Sequence, residues 1–332
     1  MSTVDPSPVL FGLTGRLRGA AFAVVLLLVL PWLIPPYQTI LLSYGLIFGI
    51  AALGFNILLG YTGLLSFGHS AYFAVGAYAV AFLVKYLHVT SMELSLLGGI
   101  IASIIISGLF GAVCVRHTRI FFAVLTLALS QVLWSLALKF YWVTGGTDGL
   151  RVPTPSLLGG LIPGTGDKVL FLSRPYYYFV LVVFLASVAI LWVIVNSPFG
   201  KALQAIRDNE TRAEFVGIQV RRCRWLAFLI SGAFTGLSGA LWAPLNGLVT
   251  PDVVYWPFSG RIVFLTVLGG FRTFTGPIVG AVVFNYLETY AVGTTVYWQF
   301  VLGAVLVILV MTMPSGIVGT VGQLVLRLKR AT

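Results

Sequence analysis

The sequence predicts an all-α polytopic membrane protein, and three observations support this fold class. Hydrophobic residues make up 59% of the 332 residues and charged residues only 9%, whereas a soluble domain has about 25% charged residues. The mean hydropathy is +1.01, and apolar runs of roughly 20 residues, enough to cross a bilayer as a helix, recur along the chain. Ten-residue segments of alternating polarity are absent, which disfavours a β-barrel.

We expect about ten transmembrane helices in a single domain, residues 1–332. The first apolar run follows basic residues, as in a signal peptide, but prolines and no small-residue cleavage site come after it. This favours an uncleaved first span. The predicted spans are 20–34, 40–59, 64–84, 94–113, 120–141, 176–195, 225–245, 259–271, 276–292 and 297–313.

The distribution of lysine and arginine predicts the orientation. With the N-terminus inside, most basic residues fall on the cytoplasmic side, in agreement with the positive-inside rule. The N-terminal tail (1–19), a central loop (196–224) and the C-terminal tail (314–332) are then cytoplasmic, and the long loop 142–175 is outside. The net charge of +11 therefore reflects topology and does not indicate nucleic-acid binding.

The central loop carries the longest charged run of the chain, KALQAIRDNETRAEFVGIQVRRCR, from Lys201 to Arg224. Phe199, Leu203 and Ile206 follow helical spacing and form one apolar face on a short helix. That face has no lipid to enter, so we expect it to dock in a groove of a partner protein. The alternative is a solvated loop with transient helical structure.

A second short helix is expected directly after the first. Asn209 is placed to cap its N-terminus, and Glu210 lies in the first turn, where the helix dipole favours an acid. Gly217 is placed to end it at the position where glycine is preferred. Both helices would lie outside the membrane.

Two glycine-rich segments, 60–78 and 267–283, interrupt the apolar pattern at membrane depth. Irregular backbone persists there only where it is buried in protein or lines a cavity. Paired Gly/Pro-interrupted segments in the two halves favour a pseudo-repeated bundle around a central pathway, although the glycines could instead serve close helix packing. The candidate pathway residues in them are Gly60, Thr62, Gly63, Ser66, His69, Gly269, Gly270, Thr275 and Gly276.

Glu288 is a further candidate pathway residue, because a carboxylate inside a membrane is costly and is a functional candidate by default. The alternative is a position near the outer surface, where it costs little. One deep acid is few for a proton-coupled secondary transporter, which this count disfavours.

Several enzyme signatures are missing. No G-x-x-x-x-G-K-[ST] occurs, so the chain has no phosphate-binding P-loop, and any ATP that drives it must be hydrolysed by another polypeptide. Gly236–Gly239 resembles the G-x-S-G of rhomboid proteases, but every histidine precedes Ser238, whereas that family's histidine follows the serine. The histidines are too scattered for a metal site. We therefore expect a non-catalytic chain without a bound metal or cofactor.

Five motifs together resemble one family of transporters. They are NILLGYTGLLSFGHSAYFAVGAY (56–78), FFAVLTLALSQVLW (121–134), TGGTDGL (144–150), the central loop and LGGFRTFTGPIVGA (268–281). In this order they resemble LivM-type permeases of branched-chain amino-acid ABC importers, which share a fold with ribose-type permeases. Phe271 stands where some members have a third glycine, and urea and amide permeases share much of the pattern.

The resemblance implies a bacterial inner-membrane permease subunit that imports branched-chain amino acids by ATP-driven alternating access. Urea or short amides are the alternative substrates. The implied partners are a LivH-type second permease, two cytoplasmic ATPases of the LivG/LivF type that use ATP and Mg²⁺, and a periplasmic binding protein. The central loop would couple to the ATPases through Lys201, Leu203, Ile206, Arg207, Asp208, Asn209, Glu210, Ala213 and Gly217.

Overall fold

A computed structural model of the chain describes residues 7–117, 119–164 and 166–331. These residues form fifteen α-helices and one two-stranded sheet. The helices before residue 145 are α1 (Ser7–Leu33), α2 (Pro36–Asn56), α3 (His69–Leu87), α4 (Met92–Cys114), α5 (Arg119–Lys139) and α6 (Tyr141–Thr144). Those that follow, up to residue 246, are α7 (Lys168–Ser173), α8 (Pro175–Asn196), α9 (Pro198–Asp208), α10 (Glu210–Phe215) and α11 (Val220–Asn246). The last are α12 (Trp256–Gly269), α13 (Gly276–Thr294), α14 (Trp298–Thr312) and α15 (Gly316–Ala331).

Within the described residues, seven helical stretches are long and apolar enough to cross a membrane. They are 36–62, 69–87, 92–114, 120–139, 168–196, 220–246 and 298–324. The chain is therefore a multi-pass membrane protein. Helices also lie at the other three predicted spans, but they are not among the seven. The helix α12 and the apolar part of α1 are short for a membrane crossing, and α13 carries Asn285 and Glu288. The count of about ten stays a prediction.

The ends of several elements differ from the sequence prediction. The span expected at 64–84 begins only at His69, because residues 63–68 are not helical. The two predicted tails are largely helical, since α1 begins at Ser7 and α15 covers Gly316–Ala331. Residues 1–6 and 332 of those tails lie outside the described part of the chain.

Helix α2 lies at the centre of the bundle. In its apolar stretch 89% of the residues are buried, against 11% for the stretch 298–324 that includes α14. Phe48 and Phe55 of α2 are fully buried in two of the hydrophobic clusters. The protein core therefore surrounds α2, and α14 lies at its periphery.

Helices α3 and α11 cross at glycines. A Cβ atom added to Gly76 would overlap the carbonyl oxygen of Gly236, and one added to Gly239 would overlap that of Phe73. Small residues allow such close approach of membrane helices, where packing replaces the hydrophobic effect as the driving force. The face Gly232/Gly236/Ala240 of α11 packs closely against α4, because a Cβ added to Gly232 or Gly236 would overlap Ser107 or Ser103.

The bundle has two ends that are distinguished by their loops. The charged segment (residues 196–224) joins α8 to α11, and we refer to this side as the charged end. Helix α11 then runs to Asn246 at the opposite end. There, strand β1 (Leu150–Arg151) of the long loop pairs antiparallel with β2 (Leu248–Val249), which follows α11.

Candidate functional site

The charged segment contains the two short helices that its sequence predicts, α9 and α10. The side chain of Ser197 accepts a hydrogen bond from the backbone N–H of Gly200 at 3.4 Å and caps α9. The side chain of Asn209 accepts one from the N–H of Arg212 at 2.9 Å and caps α10. Each cap satisfies one of the N–H groups that the first turn of a helix leaves unpaired.

Gly217 ends α10, as predicted, in a Schellman motif. Its φ is +86°, a conformation that glycine adopts without steric cost. Its N–H donates to the carbonyl of Glu214 at 2.9 Å, and the N–H of Ile218 donates to that of Ala213 at 3.1 Å. This pair of bonds defines the motif.

The apolar face of α9 contacts the protein's own membrane helices, which contradicts its predicted docking on a partner. Leu203 is 1% exposed and Ile206 3% exposed. Leu203 packs with Leu58 and Leu64 beside the end of α2, and Ile206 packs with Ala213 and other residues of the segment. The reason is tertiary packing. The ends of neighbouring helices of the same chain cover this face, so it is not available to a separate chain.

An ion pair holds the second short helix against α11. Both carboxylate oxygens of Glu210 accept hydrogen bonds from the guanidinium of Arg224, each at 2.7 Å. The Arg224 side chain is 7% exposed and that of Glu210 is 40% exposed. This bidentate geometry fixes the orientation of both groups and ties α10 to the start of α11.

The exposed surface of the charged segment carries both charge and a small apolar patch. Phe215 and Val216 are 88% and 73% exposed at the end of α10. Lys201, Arg207 and Asp208 are also exposed. These residues are accessible to another protein, whereas Leu203, Ile206 and Ala213 are buried.

Helix α2 does not stop at Asn56 but continues as a π-helical segment, Ile57–Thr62. The last carbonyl groups of a helix lack partners within it. Here the Nη1 of Arg207, from α9, donates to the carbonyl of Gly60 at 2.6 Å. The charged segment is thus bonded directly to the first glycine-rich segment, a contact that the sequence did not predict.

His69 links that glycine-rich segment to α11. It is fully buried, with Nδ1 3.0 Å from the Ser66 hydroxyl and Nε2 2.7 Å from the Ser231 hydroxyl. Phe55 and Tyr72 pack edge-on around the imidazole. Both ring nitrogens have partners, so this arrangement positions the start of α3 and does not resemble a metal site.

The second glycine-rich segment is packed closely against itself and α15. A Cβ on Gly269 would overlap the carbonyl of Gly276, and one on Gly316 would overlap Gly270. Thr275, at the start of α13, is exposed. At these glycines close packing is what the backbone requires.

The two glycine-rich segments meet at the charged end. A Cβ on Gly60 would overlap the carbonyl oxygen of Phe271. Gly63, with φ +75°, would bring a Cβ to 2.9 Å from Cγ of Arg207. Thr62 and Ser66 are buried beside them. Apart from Glu288, the candidate pathway residues thus lie in one region of the bundle.

Glu288 lies apart from the others and forms an ion pair with Arg261 of α12. It is twelve residues beyond Gly276 along α13, a distance of about 18 Å. The pair is largely buried, with the side chains of Arg261 and Glu288 24% and 18% exposed. Arg261 is directed into the bundle, where its guanidinium lies 4.3 Å from the Phe48 ring centroid.

At the opposite end, the long loop begins with a tight turn. Gly145, Gly146 and Gly149 have positive φ angles. The Tyr141 hydroxyl donates to the Asp148 carboxylate at 2.7 Å, and this hydrogen bond and the nearby negative charge raise the pKa of Tyr141. The turn thus presents an ordered surface at this end of the bundle.

Among the described residues, no three His, Cys, Asp or Glu side chains are close enough to hold a metal.

The sequence profile of a family described as branched-chain amino acid transport system / permease component matches residues 38–310. The chain belongs to this family. The matched residues contain most of α2, both glycine-rich segments, the charged segment and the Arg261–Glu288 pair.

Curated relatives have names consistent with that family. LivM, a high-affinity branched-chain amino acid transport system permease protein of Escherichia coli, is 26% identical over 95% of this chain and 79% of its own. A Salmonella typhimurium LivH permease is 26% identical over 83% of this chain and 92% of its own. A probable LivM of Methanocaldococcus jannaschii is 24% identical over 84% and 92%. No solved structure matches the chain significantly.

Proposed function

We propose that the chain is the inner-membrane permease subunit of an ABC importer and forms the pathway for branched-chain amino acids by ATP-driven alternating access. The observation that carries this proposal is the family match over residues 38–310. Relatives similar over most of the chain carry names that specify high-affinity branched-chain amino acid transport, which favours these substrates over urea or short amides.

The proposed assembly contains a LivH-type second permease, two LivG/LivF-type ATPases and a periplasmic binding protein. One relative named LivM and one named LivH both match this chain, which supports a pair of related permeases. The N- and C-termini would be cytoplasmic, together with the charged segment. ATP and Mg²⁺ would bind the ATPases, and the turn at 144–150 offers a surface to the binding protein.

The coupling route follows from the contacts of the charged segment. The ATPases would contact Phe215, Val216 and the exposed charges. Arg224 and Glu210 tie α10 to α11, and Arg207 ties α9 to Gly60. A displacement of the segment would therefore reach the first glycine-rich segment directly, and through Phe271 the second.

Co-purification and reconstituted uptake test the proposal. An affinity-tagged chain should retain two ATPases and a second permease, and proteoliposomes should accumulate leucine only with ATP and the binding protein. Competition among leucine, urea and acetamide identifies the substrate class. Uptake that continues without the ATPases would overturn the ABC assignment. Uptake of urea that leucine does not inhibit would overturn the assignment of branched-chain amino acids as the substrates.

A further inference from the structure

The Arg261–Glu288 pair forms the common wall of two grooves. One groove, of about 780 Å³, lies between α12, α13 and α14, and we call it the α14 groove. The other, of about 550 Å³, lies between α2, α11 and α13. Arg261, Glu288 and Trp298 line both. These volumes lie in the range of small-molecule sites, about 300–1,000 Å³.

The α14 groove combines this charged pair with an apolar lining. Phe258, Phe264 and Phe284 lie on its α12 and α13 sides, and Leu302 and Leu306 line it from α14. An aliphatic side chain of four or five carbon atoms gains free energy from such a lining, at about 0.8 kcal/mol per buried methylene group. The groove therefore offers adjacent places for two opposite charges and a branched hydrocarbon.

The position of the pair is accessible from the end opposite to the charged segment. Arg261 is five residues into α12 and Glu288 six residues before the end of α13, which is about 8–9 Å from those helix ends. Asp252 and Tyr255 line the groove nearer that end. A ligand entering there meets the pair before the glycine-rich segments.

The pair has unused hydrogen-bonding capacity. The Nε–H of Arg261 is buried and has no hydrogen-bond partner, although a guanidinium presents five N–H donors. Buried ion pairs are costly to form and are often replaceable by apolar residues without loss of stability. Of the three ion pairs among the described residues, this one alone joins two helices of the membrane bundle.

We propose that Arg261 and Glu288 bind the two charged groups of the transported amino acid. Arg261 binds the α-carboxylate, Glu288 binds the α-ammonium group, and the aliphatic side chain enters the α14 groove. This rests on the proposed amino-acid transport. A zwitterion exchanges one ion pair for two, so no unpaired charge remains in the membrane. Urea and amides carry neither charge and leave the Arg261–Glu288 pair intact.

Binding to the permease complex without its binding protein tests this assignment. The complex is placed in phosphatidylglycerol nanodiscs, and radiolabelled leucine is competed with 4-methylpentanoate, 3-methylbutylamine and urea. The first two each lack one charged group and should bind roughly tenfold to a hundredfold more weakly than leucine. Urea should not compete. Equal competition by all of them, or no leucine binding at all, would overturn the proposal.

The matched variant is the double substitution Arg261→Gln/Glu288→Gln, because either substitution alone leaves a buried unpaired charge. It should assemble with the ATPases, while leucine binding falls by at least roughly tenfold. The control is Lys139→Gln, an exposed residue at the end of α5, which should bind like wild type. Unchanged binding and uptake in the double variant would show that the pair is structural only. If the double variant does not assemble, the competition series on the wild-type complex still decides.

A zwitterionic lipid headgroup has the same two charges as an amino acid. Nanodiscs of phosphatidylethanolamine distinguish an amino-acid site from a lipid-headgroup site. If the site binds amino acids, leucine should bind in both lipids, and its apparent affinity should fall in phosphatidylethanolamine only as far as the headgroup competes for the pair. Binding of labelled phosphatidylethanolamine that the double variant loses and leucine does not displace would assign the site to lipid and overturn the proposal. Leucine uptake by the wild-type complex would still support the proposed transport function in that case.

Discussion

The guanidinium of Arg207 caps the π-helical end of α2, with its Nη1 2.6 Å from the carbonyl oxygen of Gly60. A cation at this position also compensates the negative end of the helix dipole. The same side chain pairs with Asp208 at 3.1 Å on its exposed side. One residue thus joins the surface of the charged segment to the first glycine-rich segment.

Arg207→Ala should reduce the amount of amino acid transported per ATP hydrolysed. It removes a charge-assisted bond from a side chain that is 37% exposed, and the partial exposure limits the loss to about 1 kcal/mol, or roughly fivefold in coupling. The ratio of uptake to phosphate release in proteoliposomes measures this. Lys139→Gln, which removes an exposed basic residue outside the charged segment, is the control. Wild-type coupling in Arg207→Ala would show that the bond transmits nothing.

Ile206→Asp should lower the stability of the folded permease, and not only its coupling to the ATPases. Ile206 is 3% exposed within the chain's own core, and its burial contributes ~1.5–3 kcal/mol, to which the carboxylate adds a desolvation cost. Thermal unfolding monitored by fluorescence size exclusion measures the loss. A variant as stable as wild type that no longer binds the ATPases would restore the docking interpretation of this face.

Phe215→Ser should weaken ATPase binding and leave the permease stable. The side chain is 88% exposed, so its replacement removes no internal contact, whereas an aromatic side chain at an interface is often a dominant contributor to affinity. We expect a roughly tenfold rise in Kd for the ATPases, measured by titration into nanodiscs. Thr211→Ser, exposed on the same helix, is the control. An unchanged Kd would place the ATPase contact elsewhere.

Gly76→Ala should destabilise the bundle. Its methyl group overlaps the Gly236 carbonyl, so α3 and α11 must separate, and such overpacking costs about 1–3 kcal/mol. Gly322→Ala, where nothing lies within 4 Å of the added carbon, should be neutral or slightly stabilising because alanine favours helix. The unfolding temperatures of the two variants in the same detergent provide the comparison, and equal values would contradict close packing at Gly76.

Cysteines at Ser66 and Thr275 should differ in reactivity. In a background without Cys114 and Cys223, Thr275→Cys should react with a water-soluble maleimide, because Thr275 is exposed, whereas Ser66 is fully buried. If the glycine-rich segments line the pathway, Ser66→Cys should become reactive in at least one nucleotide state. Protection of Ser66→Cys in every nucleotide state would instead support packing alone.

Local sequence signals predicted the local structure well. The cap at Asn209 and the end at Gly217 depend on residues within one helical turn, and both are present. The departure from regular α-helix in the first glycine-rich segment was also evident from composition. The membrane class and the family follow from patterns spread over the whole chain.

Sequence reasoning failed where the partner of a residue is far away in the chain. The sequence correctly predicted that Leu203 and Ile206 share the apolar face of a helix, but periodicity does not say what covers that face. Arg261 and Glu288 lie on different helices, and their pairing depends on how α12 and α13 pack. An arginine and a glutamate at similar depths of neighbouring apolar segments were the available signal.

The π-helical segment Ile57–Thr62 contains additional backbone at the end of the otherwise regular helix α2. One residue corresponds to about 100° of rotation and 1.5 Å of rise in an α-helix, and a π turn contains one residue more than its α-helical equivalent. Rewinding this segment as an α-helix would turn residues 63–68 by about that angle relative to the body of α2. Arg207 bonds to Gly60 within this segment, so it stabilises the winding that sets the direction in which residues 63–68 leave α2.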